Sequence, residues 1–251
     1  MRQPVRVAKD PIATAIFEMR FDPTTDSIPD LMPGMLYGTL KDQFPRLNTL
    51  PFAEIPLPVK KTMPEWYNQS VKQMTSESGQ VSLNIAHRAL VVEVIRPYPG
   101  WKAFRRSIAN VATAVSKLGL IRTVNRYSLR YQNVLSKEVL PDLSDLKVTV
   151  ELADHNLEVE GFNLRSEINF EGTRTIVHVA TGAQISLHYN NQQDQLRGTL
   201  VDVDSLMIGS VPDFFEKHES LIDELHEKEK RVFFSLLSDS VLDRLGPVWE
   251  D

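Results

Sequence analysis

The chain has 251 residues, 42% of them hydrophobic and 24% charged, ordinary globular values that exclude disordered and fibrous classes. It contains no cysteine, which excludes disulfides, thiol nucleophiles, iron–sulfur clusters and cysteine-based zinc sites. A formal charge of −5 opposes non-specific nucleic-acid binding, which draws on a basic surplus, so only a local basic patch would make nucleic acid a partner.

This length lies near the upper end of what one hydrophobic core fills, so the chain reads as one continuous globular unit or two small domains sharing a sheet. Met1 to Arg6 is slightly basic with no apolar core behind it, and the longest apolar runs, such as Ala89 to Val92, fall far short of the roughly 20 residues a membrane helix needs. The expectation is cytoplasmic residence with no membrane partner.

Residues 12–21 predict a strand in which Phe17, Met19 and Phe21 alternate with Glu18 and Arg20, broken by Asp22-Pro23. Residues 31–44 predict a short helix with Leu36, Leu40 and Phe44 on one stripe. The proline-rich stretch 45–64 reads as an extended loop. Three antiparallel strands follow over 71–96, closed by Pro97-Tyr98-Pro99-Gly100. The clearest helical pattern then runs through Trp101, Phe104, Ile108, Val111, Ala112, Val115 and Leu118, with Gly119 as its C-terminal stop.

The second half repeats this scheme. A strand over 123–135 leads through an irregular segment to strands at 148–152, 161–171, 175–182 and 196–206. Gly172-Thr173 turns the middle hairpin, and 190–195 reads as a polar loop. A long helix over about 212–237, started by Ser210 and Pro212, precedes a last turn at 241–245 that stops at Gly246-Pro247. Phe17-Glu18-Met19-Arg20-Phe21 and Tyr127-Ser128-Leu129-Arg130-Tyr131 share one pattern, aromatic, polar, apolar, arginine, aromatic, each in the first strand of its half. With the matching order of elements, this predicts an internal duplication into halves 1–121 and 122–251. The fold class that follows is α+β, a mostly antiparallel curved sheet with helices on one face, built from two related β-α-β-β-β-α halves. The other face is left for solvent or a partner.

Candidate sites follow from the strand period. Over 123–135, Arg126, Ser128, Arg130 and Gln132 share the face opposite Tyr127, Leu129 and Tyr131. Two arginines on a sheet face either grip a phosphate or partner carboxylate, or pair with acids of the same sheet. Asp202 and Asp204 point the same way from one strand, and the favoured reading pairs them with Arg126 and Arg130. The alternatives are a hard cation or an acid–base pair of an unrecognised hydrolase. At the first long helix, Tyr98 and the free amides near Arg105 and Arg106 offer an anion site, against the plainer reading that Trp101 plugs the core.

No catalytic residue, metal site or cofactor is nominated. The six histidines are scattered, and His218 and His226 lie eight apart, too far for the helical i, i+4 zinc pairing. Neither a Gly-x-Ser-x-Gly elbow nor a glycine-rich phosphate loop occurs. Phe233, Phe234, Leu236 and Leu237 crowd the end of the last helix, which either covers the sheet or packs against a second copy as a homodimer.

Several blocks together carry a resemblance over nearly the whole chain. They are 16–21, 97–104, 129–133, 201–204 and the tail from Leu225-His226 to Leu237-Ser238-Asp239. The chain resembles a sporadically distributed prokaryotic family of about this length with no assigned activity. Such a distribution often accompanies toxin–antitoxin loci, mobile elements or phage defence. The expected function is a non-enzymatic binding protein that presents its open sheet face to a protein partner. The alternative is nucleotide, phosphate or nucleic-acid binding through the sheet-face arginines.

Overall fold

The computed structural model describes residues 3–25, 28–60, 62–153, 155–156, 161–189 and 192–249. The class is α+β. Nine strands form one sheet: β2 (Ile12–Pro23), β3 (Arg46–Thr49), β4 (Ser70–Thr75), β5 (Val81–Ala86), β6 (Ala89–Ile95), β7 (Ile121–Leu135), β10 (Asn163–Phe170), β11 (Thr173–Tyr189) and β12 (Gln192–Val211). Short pairs join β1 (Arg6–Val7) to β13 (Pro247–Val248) and β8 (Glu151–Leu152) to β9 (His155–Asn156). The helices are α1 (Ile28–Leu40), α2 (Leu57–Lys60), α3 (Trp101–Leu118), α4 (Phe214–Ser235) and α5 (Asp239–Leu245).

The strand order is β10-β11-β12-β7-β2-β6-β5-β4-β3. Read outward from its middle, β7-β12-β11-β10 and β2-β6-β5-β4 follow one rule, in which the first strand of each half neighbours the last of its meander. After β2 the chain forms α1, whereas after β7 the described residues form a short 3₁₀ turn at Leu143–Asp145.

By contact density the chain divides into two compact units that interleave in sequence. One contains Met1–Ala15, Arg130–Ser205 and Leu225–Asp251, and the other Ile16–Leu129 and Leu206–Glu224. The second unit buries Phe17, Met19 and Phe21 of β2 and Phe104, Ile108, Val111 and Val115 of α3. α3 is amphipathic over its whole length and stops where Gly119 turns left-handed at φ 61°. In the first unit, Leu135, Val177, Val179, Val201 and Val203 pack with Val232 and Phe233 of α4, with Leu237 just after it, and with Val241 and Leu245 of α5. Phe233 at the end of α4 and Leu237 just after it are buried, while Phe234 and Leu236 are partly buried against the same core.

Several elements differ from the sequence reading. The proline-rich stretch is not a plain loop, because Pro51 and Pro64 each open a 3₁₀ turn and β3 and α2 lie between Arg46 and Lys60. The hairpin turns on Glu171 and Gly172, one residue earlier than expected. Both have positive φ, 47° and 75°, and Phe170 pairs with Thr173 as a two-residue loop requires. Gln192 to Gln195 belong to β12, so the expected polar loop is mostly strand. Helix α4 begins after Asp213, whose carbonyl accepts from the Glu216 and Lys217 amides, while Ser210 bonds Thr123. Among the described residues, no helix is long and apolar enough to cross a membrane.

Gly198 of β12 sits against the backbone of Leu135, and a Cβ there would collide with that carbonyl oxygen. Gly198→Ala is expected to destabilise the fold by about 1–3 kcal/mol, since backbone must move. Gly38→Ala is the control, because Gly38 lies in α1 with open space around its missing Cβ. It should stabilise by about 0.5–1 kcal/mol through helix propensity. Chemical denaturation of both variants checks the pair, and equal effects would contradict this packing.

Candidate functional site on the sheet face

The alternation read from β7 places its side chains as expected. Tyr127, Leu129 and Tyr131 are buried. Tyr127 meets Phe214 of α4 at 5.3 Å between ring centres, and Tyr131 meets His226 at 5.9 Å. The helix side of the strand is therefore the aromatic side, and Arg126, Arg130 and Gln132 stand on the other.

Arg130 and Asp202 come together. The Arg130 Nε donates to Asp202 Oδ1 at 2.8 Å, its Nη2 donates to Oδ2, and Gln132 Nε2 donates to the same Oδ2 at 3.4 Å. Asp202 is 3% exposed, so this two-pronged contact satisfies a carboxylate that has almost no access to water. Its neighbours Val201 and Val203 are fully buried on the helix side, which fixes the orientation of the strand and hence of Asp202 and Asp204. Around the pair lies a small cleft of about 150 Å³ lined by Arg130, Arg165, Ile176, His178, Asp202 and Asp204. His178 Nε2 lies 2.8 Å from Asn163 Oδ1.

The other nominated residues do not line this cleft. Arg126, expected to meet the aspartates, pairs with Glu18 of β2. β7 has β12 on one side and β2 on the other, so polar side chains along it have neighbours on both. Glu18 also accepts from Arg20 Nε at 2.7 Å, placing one carboxylate between two guanidiniums. Arg105 is held by α4, with Nε 2.7 Å and Nη2 2.8 Å from the two oxygens of Asp223 and Nη2 2.9 Å from Glu219. Trp101 Nε1 reaches the same Asp223 oxygen at 3.3 Å. The start of α3 is thus clamped to a second helix by a forked contact. Tyr98 packs edge-on against Phe104 at 6.2 Å, as part of that aromatic entry.

Glu229 of α4 is a residue the sequence reading passed over. It lies four residues after Leu225 and three before Val232, squarely on the apolar stripe, and it is 4% exposed. Its Oε1 has no hydrogen-bond partner among the described residues. Burial pushes its carboxyl well above the ordinary carboxylate range, the negative charges of Asp202 and Asp204 push it further, and Lys230 only partly opposes them. An acid on an otherwise apolar stripe was the signal available in the sequence.

No protein-family model matches the chain, and no curated protein matches it.

Glu229 gives a signed pH prediction. An acid whose folded pKa is raised contributes most when protonated, below its unfolded value near 4.5, and that contribution is lost as pH rises through the folded value. Glu229→Gln should therefore raise the melting temperature at pH 8 by at least about 2 °C. The gap from wild type should close as the pH falls toward 4.5. A gap independent of pH would mean that Glu229 is ionised and satisfied in the folded protein.

Proposed function

We propose that this chain is a non-enzymatic binding protein that takes a protein partner on the polar face of its sheet, opposite the buried tyrosines of β7. The observation carrying this reading is the mixed and matched charge of that face. Arg130 is matched by Asp202, Arg126 by Glu18, and the cleft beside Arg130 is lined by both signs together with Ile176 and His178. A polyanion needs a surplus of unmatched cations, whereas a polypeptide surface offers both signs and apolar contact. The formal charge of −5 favours the same choice. The resemblance to a patchily distributed prokaryotic family suggests the setting, an accessory component of a toxin–antitoxin, chaperone-like or phage-defence system.

One observation favours a second reading. Arg20 and Arg126 both reach Glu18, which gathers two guanidiniums at one place where a phosphate or nucleotide would bind.

Capture from native lysate tests the first reading, with wild type compared against Ile176→Asp/His178→Asp, two substitutions at partly exposed positions of the cleft. Wild type is expected to retain a specific protein that the double variant loses while keeping its melting temperature. Retention of no protein, or equal retention by both, would contradict it. Thermal shift with nucleotides and short RNA at low and high salt tests the second. A salt-sensitive shift abolished by Arg126→Ala would replace the protein-partner reading with the anion reading.

A further inference from the structure

The edge strand β10 carries an order of side chains that is its own complement. Its sequence from Asn163 to Asn169 is Asn-Leu-Arg-Ser-Glu-Ile-Asn. About Ser166, Arg165 mirrors Glu167, Leu164 mirrors Ile168, and Asn163 mirrors Asn169. In an antiparallel pairing of this strand with a second copy centred on Ser166, every position meets a chemically suitable mate: cation against anion, aliphatic against aliphatic, amide against amide.

The backbone is phased for that pairing. β10 ends the sheet, and among the described residues it pairs only with β11. The Thr181 amide donates to the Phe162 carbonyl at 2.9 Å, at the position that continues the β10–β11 register. In an antiparallel ladder the bonded positions alternate, so Leu164, Ser166, Ile168 and Phe170 direct their amides and carbonyls to β11. Asn163, Arg165, Glu167 and Asn169 direct theirs outward. A two-fold at Ser166 sets Arg165 opposite the partner's Glu167 and Asn163 opposite the partner's Asn169, and all four of these carry outward-pointing groups.

The side chains supply a reason to associate. On the helix side, Ile168 is 40% exposed and Leu164 is half-buried, so pairing would cover apolar surface that the single chain leaves wet. On the other side, Arg165 and Glu167 lie 3.6 Å apart within one strand, with side chains 59% and 39% exposed, a contact of little worth in water. Edge strands are commonly protected by proline or a run of lysines, and β10 has neither.

We infer that this protein forms a two-fold homodimer by antiparallel pairing of β10 with β10 of a second copy, centred on Ser166. The surface is the edge of the sheet and shares only Arg165 with the cleft beside Arg130, so Ile176→Asp/His178→Asp, which alters the cleft and not the outward groups of β10, is expected to leave association unchanged. The pairing also uses a different element from the end of α4.

Sedimentation velocity of the full chain tests it. Interfaces below about 1,200 Å² are typically weak, so the series should run from about 1 to 200 µM. Wild type is expected to move from one chain to two across that range. Arg165→Glu and Glu167→Arg should each weaken association by at least about tenfold, because like charges then face each other twice in the two-fold. The exchange Arg165→Glu/Glu167→Arg restores both facing pairs and should bring association back to near wild type. Glu167 also accepts from Arg174 Nε at 2.9 Å, so Arg165→Glu provides the reversal that leaves that contact in place. A single-chain mass throughout would overturn the inference. So would a dimer indifferent to both reversals, or reversals that the exchange fails to rescue while melting curves show all variants folded.

Discussion

A carboxylate that is almost out of reach of water must be paired or protonated, and Asp202 is the place where this constraint organises the sheet. The valines on either side of it point into the helix-covered core, so strand geometry sends Asp202 to the opposite face. There it is only 3% exposed, and leaving it unpaired would cost several kcal/mol. Arg130 answers with a two-pronged contact, and Gln132 adds a third donor. The register that buries Val201 and Val203 and the register that pairs Asp202 are the same register. A slip of one residue would place carboxylates against α4 and valines in solvent.

Glu229 meets the same constraint in the other way. It sits on the helix stripe that packs over those valines, has one oxygen without a partner among the described residues, and has its carboxyl pushed above the ordinary range chiefly by burial. Asp202 and Asp204 make ionisation of Glu229 harder still. Asp202 has a guanidinium forked against it, whereas burial and two neighbouring acids push the Glu229 carboxyl up.

Much of this was legible in the sequence where one face of an element is dry. Helix α3 has a continuous apolar stripe and a glycine stop, and its bounds agree with the reading to the residue. The aromatic faces of β2 and β7 were equally plain, because a strict alternation of large apolar and polar side chains has one solution. The end of β11 was missed because Gly182 read as a stop, although Ile185, Leu187 and Tyr189 alternate with Gln184, Ser186 and His188, and the start of β12 was missed because its polar residues carry no apolar period. The β1–β13 pair is two residues long on each side and carries no period at all. For the site, the pairing of Asp202 with Arg130 followed from the two-residue spacing and the need for a counter-charge. The pairing of Arg126 with Glu18 did not follow, because it depends on which strand lies beside β7. Glu18 was visible as the polar member of the repeated pentapeptide, and its role waited on strand order.

The central claim is that Arg130 and Asp202 act as one unit on the sheet face. A double-mutant cycle with Arg130→Ala, Asp202→Ala and the double variant, followed by chemical denaturation, measures that directly. The account predicts a coupling of about 1–3 kcal/mol, with Arg130→Ala costing more than the double variant because it strands a buried carboxylate. Strictly additive single effects would contradict it.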